Sequence, residues 1–327
     1  MYGEPVHSDL LPLARASVDR DAHARVRPSL LEDLLADAST RLLTVDGDRV
    51  ATTGGDDAAL AFVPPSGRAN GAMLLYLGRD DDAAYLAQIL GAEHRAAAGD
   101  QDRRTDDPQG STTGGPVSYA VLREIGWQLG DRDAGLAVGA LALANWHHTH
   151  THCSRCGTAT EVIDAGWVRR CPADESLHYP RTDAAVIMAI TDDAGRILLG
   201  HAPQWPDGQF SVPAGFVEPG ESLEAAVRRE VFEETNVVVG EVTYRASQPW
   251  PFPASLMVGF AGRALAIDVR PDGEEITEAR FFSAEELRTA WTTGTIRLPR
   301  PTSIARSLIE EWFGEPLPEV RAAARWA

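Results

Sequence analysis

The stretch RREVFEET, residues 228–235, restricts the fold of this chain more than any other segment. Glu230, Glu233 and Glu234 have the spacing i, i+3, i+4, so a helix gathers their carboxylates within one arc of its surface. A helix beginning near Ser222 is predicted, and its apolar stripe comprises Leu223, Ala226, Val227 and Val231. At about 100° per residue the glutamate arc overlaps that stripe, so the face that begins as core ends as a carboxylate cluster.

These carboxylates are electrostatically costly at that position. The C-terminal end of a helix carries the negative end of the macrodipole, which disfavours anions. Three partly desolvated carboxylates there require a cation. The alternative is a solvated acidic face, but such a face should lie opposite the apolar stripe.

The composition is that of a soluble globular protein of two or three domains. The chain has 327 residues, of which 44% are hydrophobic and 24% are charged. It has no apolar run long enough to span a membrane and no basic-then-apolar signal peptide, so no membrane partner is expected. Three cysteines cannot all pair internally, which argues against a secreted disulfide framework and makes the cytoplasm the expected location.

The charge of the chain limits its chemistry. A net charge of −18 disfavours non-specific binding to nucleic acid backbones, so a polyanionic substrate must be attracted by local arginines and metal ions. All 30 basic residues are arginines. The absence of lysine excludes Schiff-base and lysine-base catalysis.

Four segments are predicted along the chain. Residues 1–115 form a small N-terminal α+β domain that ends in a mobile linker from Ala96 to Gly115, a stretch rich in Gly, Asp, Ser and Thr. Residues 116–150 are predicted to be a helical connector, and residues 151–180 contain all three cysteines. Residues 181–327 combine apolar strands with helices, which predicts a mixed sheet flanked by helices, α+β or α/β in class.

Short apolar runs bounded by turn residues locate the strands. In the first segment they are RLLTV, AALAFV and AMLLYLG. In the last segment they are AAVIMAI, RILLG, VVVGEVTYRA, LMVGFAGRALAI and ARFF, followed by a helix at about 302–313.

A longer motif surrounds the glutamate helix. Gly215 is followed after five residues by Glu221, and after seven more by the run from Arg229 to Glu234. This resembles the Nudix box, a loop–helix–loop of about 23 positions that holds divalent metal against a pyrophosphate. The resemblance implies a Nudix mixed-sheet fold (an α/β/α sandwich) with bound Mg²⁺ or Mn²⁺. It makes Glu230 and Glu234 metal ligands, and Glu233 a ligand or a base.

Two other positions of the box carry expectations. Arg229 either supports a catalytic carboxylate or forms a plain surface ion pair. Asn236 stands where the family usually has glycine. That glycine is interpreted as a left-handed helix cap, and asparagine is the next residue able to adopt this conformation, so little functional damage is expected.

The stretch SQPWPFPAS, residues 247–255, bears on the substrate. Its three prolines in five residues exclude a helix and predict an extended, rigid loop. Trp250 and Phe252 could stack on a base while Ser247, Gln248 and Ser255 bond to its edge or ribose. A proline-rich corner that packs its aromatic rings into the core fits the residues equally well.

The same stretch, at this distance after a Nudix box, resembles the hallmark of the NADH pyrophosphatase (NAD diphosphatase) family. The resemblance covers roughly residues 117–313 and extends more weakly into the N-terminal domain. It implies hydrolysis of NAD(H) to nicotinamide mononucleotide and AMP, and removal of NAD caps from RNA 5′ ends. It assigns substrate binding to Gln248, Pro249, Trp250, Pro251, Phe252, Pro253, Ala254 and Ser255.

The resemblance implies further site residues. Glu275 matches a third metal ligand outside the box, and Ala305 matches a backbone contact to substrate. Tyr179 and Phe216 match aromatic residues that sandwich the nicotinamide, an arrangement completed in the family across a homodimer interface. Phe216 could instead fill core beside its turn.

The cysteines resemble part of a zinc ribbon. Cys153 and Cys156 form a CxxC pair, and Cys171 follows, but Asp174 stands where the family has a fourth cysteine. Zinc accepts carboxylate ligands, so a Cys3Asp site is one reading, and a ribbon that has lost its metal is the other. His178 is not an obvious substitute, since HYPR fits the usual start of the next strand.

Two other functions compete with an NAD(H) diphosphatase. One is a broader Nudix hydrolase acting on ADP-ribose or dinucleoside polyphosphates. The other is a non-catalytic NAD-sensing module, although a pure sensor need not retain three mutually repelling carboxylates.

Overall fold

The computed structural model describes residues 11–53, 58–91 and 117–317. The chain divides into two compact units. Of the described residues, the first unit in chain order comprises those from 12 to 182 together with the short segment 250–254, and the other comprises residues 11, 183–249 and 255–317. The linker predicted from Ala96 to Gly115 lies outside the described residues.

The unit of residues 12–182 contains a mixed sheet. Its strands are β1 (Arg41–Asp46), β2 (Arg49–Thr53), β3 (Phe62–Val63), β4 (Met73–Arg79), β5 (Ala84–Ile89) and β6 (Val117–Val121). The strand order is β4-β5-β1-β2-β6, with β3 paired to β1. The β1–β5 pair is parallel and the other pairs are antiparallel.

The α-helices in the described part of this unit are α1 (Leu30–Ala36), α2 (Leu122–Ile125) and α3 (Asp131–Thr149). The prediction of helix from residue 117 is wrong for the first five residues, because Val117–Val121 forms a strand paired with β2. Its β-branched and aromatic residues favour a sheet position, and an open sheet edge supplies the partners. Helix α3 is the predicted apolar helix, and its Leu136 and Leu141 belong to the same buried core as Leu43 of β1.

The cysteine segment forms a small antiparallel sheet. It consists of β7 (Glu161–Ile163), β8 (Val168–Arg170) and β9 (Leu177–His178), in that order. Two tight turns precede β7 and β9, and they carry Cys153–Cys156 and Cys171–Asp174. The sheet aligns these turns as a zinc ribbon requires.

The other unit is built on a second mixed sheet. Its strands are β10 (Asp183–Thr191), β11 (Ile197–His201), β12 (Ala214–Phe216), β13 (Val238–Trp250), β14 (Ser255–Ala266) and β15 (Glu278–Phe282). The order is β13-β14-β10-β11-β15, with β12 paired to β10. Strand β10 is parallel to β14 and antiparallel to β11 and β12. The strands predicted in this segment are therefore confirmed.

Helices cover both faces of this second sheet. They are α4 (Leu223–Thr235), α5 (Ala284–Thr292) and α6 (Ile304–Phe313). Val186 and Met188 of β10 share a core with Val227 of α4. On the other face, a Cβ placed on Gly259 of β14 would lie within 4 Å of Ile304 on α6. The predicted α/β/α sandwich is confirmed, and burial on both faces explains why β10 is a continuous apolar run.

The part of the chain that the structure describes contains no helix with the length and apolarity needed to traverse a lipid bilayer.

Candidate active site

Helix α4 begins and ends at defined caps. The Ser222 hydroxyl accepts a hydrogen bond from the Ala225 amide at 3.2 Å. Asn236 closes the helix with φ 61° and ψ 9°, the left-handed conformation expected at this position. Side chains four residues apart then share a face, so Glu230 and Glu234 lie beside the apolar stripe and are buried.

Glu233 differs from the other two glutamates. Its side chain is 58% exposed, so the prediction of three desolvated carboxylates is correct only for Glu230 and Glu234. The physical reason is angular, since Glu233 lies about 100° from Glu234 and falls on the solvent flank of the stripe.

Glu234 is the most strained of these groups electrostatically. Its Oε2 atom is buried without a hydrogen-bond partner among the described residues. Burial, together with the charges of Glu230, Glu275 and Asp272, raises the pKa of Glu234 to about 8. Burial also raises the pKa of Glu230, although Arg229 opposes that shift. Both carboxyls would be stabilised as anions by a nearby cation.

Arg229 contacts several carboxylates at once. It pairs with Glu221 at 2.5 Å, with Glu230 at 2.9 Å and with Glu233 at 2.9 Å. Its Nη2 also donates to the Phe216 carbonyl at 2.9 Å. A plain surface ion pair is therefore ruled out as a description of the contacts. The guanidinium instead ties the turn before α4 to the glutamates, and these bonds raise the pKa of Arg229.

The glutamates face a cavity of about 650 Å³. Its charged lining residues are Glu218, Arg229, Glu230, Glu233, Glu234, Asp272 and Glu275. Its other walls are Ala185, Ala214, Gly215, Phe216, Ser255 and Met257. A Cβ on Gly215 would lie 2.0 Å from Cδ of Glu230, so only glycine permits the close approach of β12 to this carboxylate.

The cavity residues suit a hard divalent cation. Its wall offers carboxylate oxygens, the ligands that Mg²⁺ and Mn²⁺ prefer. The buried, unpartnered Oε2 of Glu234 is an atom that such a cation would satisfy. Glu230, Glu233, Glu234 and Glu275 all line this cavity, and their role as metal ligands stays a prediction.

The two aromatic residues predicted to contact the base are both exposed. Phe216 is 59% exposed and lines the cavity, so the alternative that it fills core is wrong. Tyr179, in the other unit, is 60% exposed.

The proline-rich stretch is less extended than expected. Its first half belongs to β13, which ends at Trp250, and residues 251–254 form a tight turn before β14. The rings of Trp250 and Phe252 meet edge to face at 4.9 Å and are partly buried against the core that contains α3. Part of each ring remains exposed, so packing and stacking are compatible here.

Two predicted substrate contacts have other partners in the structure. Gln248 is fully buried and donates to the Thr302 carbonyl at 3.1 Å. The Ala305 amide donates to the Ser303 hydroxyl at 3.2 Å, as a helix N-cap bond. Ser255 lines the cavity. The substrate contacts of Gln248 and Ala305 stay predictions.

The cysteine cluster is assembled as the ribbon pattern predicts. The ligand atoms of Cys153, Cys156, Cys171 and Asp174 lie within 4.8 Å of one another. Cys156 Sγ is 3.5 Å from Cys171 Sγ, and Cys153 Sγ is 3.8 Å from Asp174 Oδ2. Hydrogen bonds from Ser176 hold the pKa of Asp174 well below its ordinary range, so it is ready to ligate as an anion. The geometry and donor set fit structural zinc.

Sequence reasoning missed two residues that organise the site. Asp272 lines the cavity, and its carboxylate accepts hydrogen bonds from the backbone amides that follow it. Asn145 on α3 donates to the carbonyls of Pro251 and Pro253, which orders the proline turn. The PDG sequence is a turn signal for Asp272, but no local signal marks Asn145.

Comparison with protein families supports this description. Residues 180–299 match the NUDIX domain, and residues 148–179 match the NADH pyrophosphatase zinc ribbon domain. Together with the carboxylate site, these matches define the class of the protein as a Nudix hydrolase with a zinc ribbon. Nudix hydrolases use Mg²⁺ or Mn²⁺, in agreement with the oxygen ligands of the cavity.

Curated relatives specify the family. The chain is 37% identical over 306 residues to the NAD-capped RNA hydrolase NudC of Mycobacterium bovis, which covers 86% of this chain and 94% of that protein. It is 40% identical over 198 residues to the human NAD-capped RNA hydrolase NUDT12, covering 57% of this chain and 43% of that protein. The chain therefore spans less than half the length of the human relative. The chain belongs to the NADH pyrophosphatase family of Nudix hydrolases.

A solved structure is similar over part of the chain. A NUDIX hydrolase from Nitrosomonas europaea aligns with 24% identity and a TM-score of 0.41, covering 52% of this chain and 97% of that one.

Proposed function

We propose that this protein hydrolyses the pyrophosphate bond of NAD(H), giving nicotinamide mononucleotide and AMP, and also removes NAD caps from RNA 5′ ends. The observation that carries the proposal is the carboxylate cavity. There Glu234, whose Oε2 has no hydrogen-bond partner in the described part of the chain, faces the same space as the exposed ring of Phe216. Carboxylates of the kind that hold a metal ion against a pyrophosphate, and an aromatic ring of the kind that stacks on a base, line the same cavity. The name of the mycobacterial relative supports the choice of substrate.

The chemistry follows from the charges of the cavity. A divalent ion held by Glu230, Glu234 and Glu275 would neutralise the pyrophosphate and make a water more acidic. Glu233, exposed at the rim, either completes the ligand set or accepts the proton of the attacking water. Arg229 keeps Glu230 and Glu233 oriented through its 2.9 Å contacts.

Aromatic rings and backbone groups are assigned to recognition of the dinucleotide. Phe216 and Tyr179 stack on the nicotinamide, whose planar ring suits aromatic contacts. The segment from Gln248 to Ser255 and the Ala305 backbone contact the rest of the dinucleotide.

A substrate panel tests the proposal. AMP release is measured from NADH, NAD⁺, NAD-capped RNA, ADP-ribose and diadenosine polyphosphates, each with Mg²⁺ and with Mn²⁺. The proposal expects turnover of NAD(H) and capped RNA well above the others. Preference for ADP-ribose or the diadenosine compounds would favour the broader hydrolase, and NAD binding without turnover would favour the sensor.

Replacing Phe216 with alanine separates base recognition from chemistry. Stacking on an aromatic ring contributes about 1–3 kcal/mol per base, so KM for NADH should rise by about tenfold or more. KM for a pyrophosphate substrate without nicotinamide should change much less. Tyr179→Ala is expected to behave in the same way, and equal losses on both substrates would assign these rings to folding alone.

Two wider proposals concern the assembly and location of the protein. We place two copies in a homodimer, since Tyr179 and Phe216 are exposed and the family completes its aromatic slot with a partner subunit. Light scattering at assay concentration should give twice the chain mass.

We place the protein in the cytoplasm, because Cys153, Cys156 and Cys171 are free thiols gathered for metal and not disulfide-bonded.

A further inference from the structure

The loop of residues 268–276 lies between β14 and β15 and carries Glu275, one of the acidic residues of the cavity. A loop position is a mobile place for a metal ligand, because loops have fewer fixed contacts than helices or strands. What holds Glu275 opposite Glu230 and Glu234 therefore determines whether the three carboxylates act together.

Three hydrogen bonds attach this loop to the end of α4. The Asn236 side-chain amide donates to the Asp268 carbonyl at 2.9 Å. The Arg270 amide donates to the Thr235 carbonyl at 2.9 Å, and the Asp272 amide donates to the Glu234 carbonyl at 3.2 Å. The last carbonyls of a helix lack partners within the helix, so the loop satisfies groups that otherwise need water.

The second half of the loop is folded over one carboxylate. Asp272 Oδ1 accepts from the Glu274 amide at 3.2 Å and the Ile276 amide at 2.9 Å. Its Oδ2 accepts from the Glu275 amide at 3.1 Å. Both oxygens of Asp272 are thus engaged with backbone, and the residue fixes the main chain that carries Glu275.

Asn236 makes a bond that the usual residue of the family cannot make. The position needs a left-handed conformation, which glycine adopts most easily. Asparagine also adopts it and adds an amide donor, so this chain has an additional link between helix and loop.

We propose that Asn236 and Asp272 are positioning residues, which hold the Glu275 loop against α4 so that Glu275 shares a divalent cation with Glu230 and Glu234. The proposal rests on the proposed function for the identity of that cation. Neither residue need touch the substrate. Their effect is on the affinity for Mg²⁺ or Mn²⁺, through the placement of a ligand.

Direct Mn²⁺ binding tests the proposal without any substrate. Isothermal titration and the loss of the free Mn²⁺ signal in electron paramagnetic resonance are compared for wild type, Asp272→Ala, Asp272→Asn and Asn236→Gly. Loss of groups that orient metal ligands typically weakens affinity about 10–100-fold, so Asp272→Ala should fall in that range. Asn236→Gly keeps the cap and loses one bond, so about a tenfold loss or less is expected.

Asp268→Ala is the matched control. It removes a charge from the same loop, but Asp268 pairs with Arg270 at the surface and contributes to the attachment through its backbone carbonyl. Mn²⁺ affinity should be unchanged in this variant. An equal loss in Asp268→Ala and Asp272→Ala would show that loop charge matters and position does not, which would overturn the proposal.

Asp272→Asn distinguishes positioning from direct ligation. Asparagine keeps an oxygen that can accept the Glu274 and Ile276 amides, but its amide nitrogen cannot accept the Glu275 amide. A positioning role therefore predicts a Mn²⁺ affinity between those of wild type and Asp272→Ala. A Mn²⁺ affinity as low as that of Asp272→Ala would show that Asp272 acts through its charge and would overturn the positioning role.

Thermal melts without added divalent ions identify any variant that fails to fold. If the Asp272 variants fail to fold, the Mn²⁺ affinity of Asn236→Gly tests the proposal. Failure of wild type to cleave NAD(H) would contradict the proposed function while leaving these Mn²⁺ results interpretable.

Discussion

Glu234 shows at the scale of one residue why this site is costly without metal. A carboxylate with a buried, unpartnered oxygen beside Glu230 opposes folding, because desolvation and like charge both disfavour the anion. Proteins retain such groups where function requires them. The same environment becomes favourable when a cation is bound.

The substitution Glu234→Gln should lower turnover without lowering the stability of the fold. It keeps the shape of the side chain, removes one charge and relieves repulsion with Glu230. Loss of a group that only orients a metal ligand already lowers metal affinity or activity about 10–100-fold. Loss of the ligand itself should therefore lower kcat by more than about 100-fold. The melting temperature without added divalent ions should be unchanged or higher. Glu241→Gln, an exposed residue outside the cavity, is the control, and near-normal Mg²⁺-dependent activity in Glu234→Gln would refute the assignment.

Glu234 also predicts how stability depends on pH without added divalent ions. Burial raises the pKa of its carboxyl to about 8 from the ordinary 4.5, so the folded protein retains a proton that the unfolded chain releases. The resulting stabilisation is complete below pH 4.5 and is lost as the pH rises towards about 8. The free energy of unfolding of wild type minus that of Glu234→Gln should therefore fall across this window in denaturant titrations. A constant difference would mean that Glu234 is ionised throughout.

Among the helices and strands, some could be predicted from the local sequence pattern and others form only through tertiary contacts. Helix α4 could be predicted from its glutamate spacing and its caps, since Ser222 and Asn236 have strong positional preferences. Strand β6 could not, because Val117–Val121 precedes a helix and becomes a strand by pairing with β2. The exposure of Glu233 was also not predicted. Adjacent side chains on a helix point about 100° apart, so a shift of one position decides whether a side chain faces the core or the solvent.

The ribbon gives a prediction at this scale. Asp174 is a hard ligand beside three soft thiolates, so its zinc should be present but easier to remove than from a four-cysteine ribbon. Asp174→Cys should retain zinc longer during chelator challenge and raise the melting temperature, with turnover almost unchanged. Asp193→Cys, an exposed position in the other unit, controls for the added thiol.

Zinc content of the unmodified protein is the deciding measurement for the ribbon. Protein purified without chelator should contain close to one equivalent by elemental analysis. Less than about a tenth of an equivalent would show that the ribbon has lost its metal, since a structural site is normally occupied in the folded protein.

At the scale of the whole molecule, the net charge of −18 opposes the approach of RNA. Arg229 is engaged by three carboxylates, so it contributes little free positive charge to an incoming polyanion. Free NAD(H) carries few charges and should be affected much less.

Salt should therefore favour capped RNA over the free dinucleotide. Between about 20 mM and about 200 mM salt, screening shortens the reach of the repulsion. The ratio of kcat/KM for NAD-capped RNA to kcat/KM for NADH should rise across this range. A steep fall in the ratio would instead indicate a basic RNA-binding surface that outweighs the net charge.

Local sequence patterns were enough to predict a Nudix carboxylate site, a cysteine ribbon and the type of most helices and strands. The spacing of the Nudix glutamates and the apolar strand runs follow helical and strand periodicity, and the single CxxC pair is a short local motif. Tertiary structure alone decided which carboxylates are buried, that Phe216 lines the cavity, and that Asp272 and Asn236 attach the Glu275 loop to α4. Those outcomes depend on contacts between residues distant in sequence, as between Asn236 and Asp268, and no local periodicity encodes such contacts.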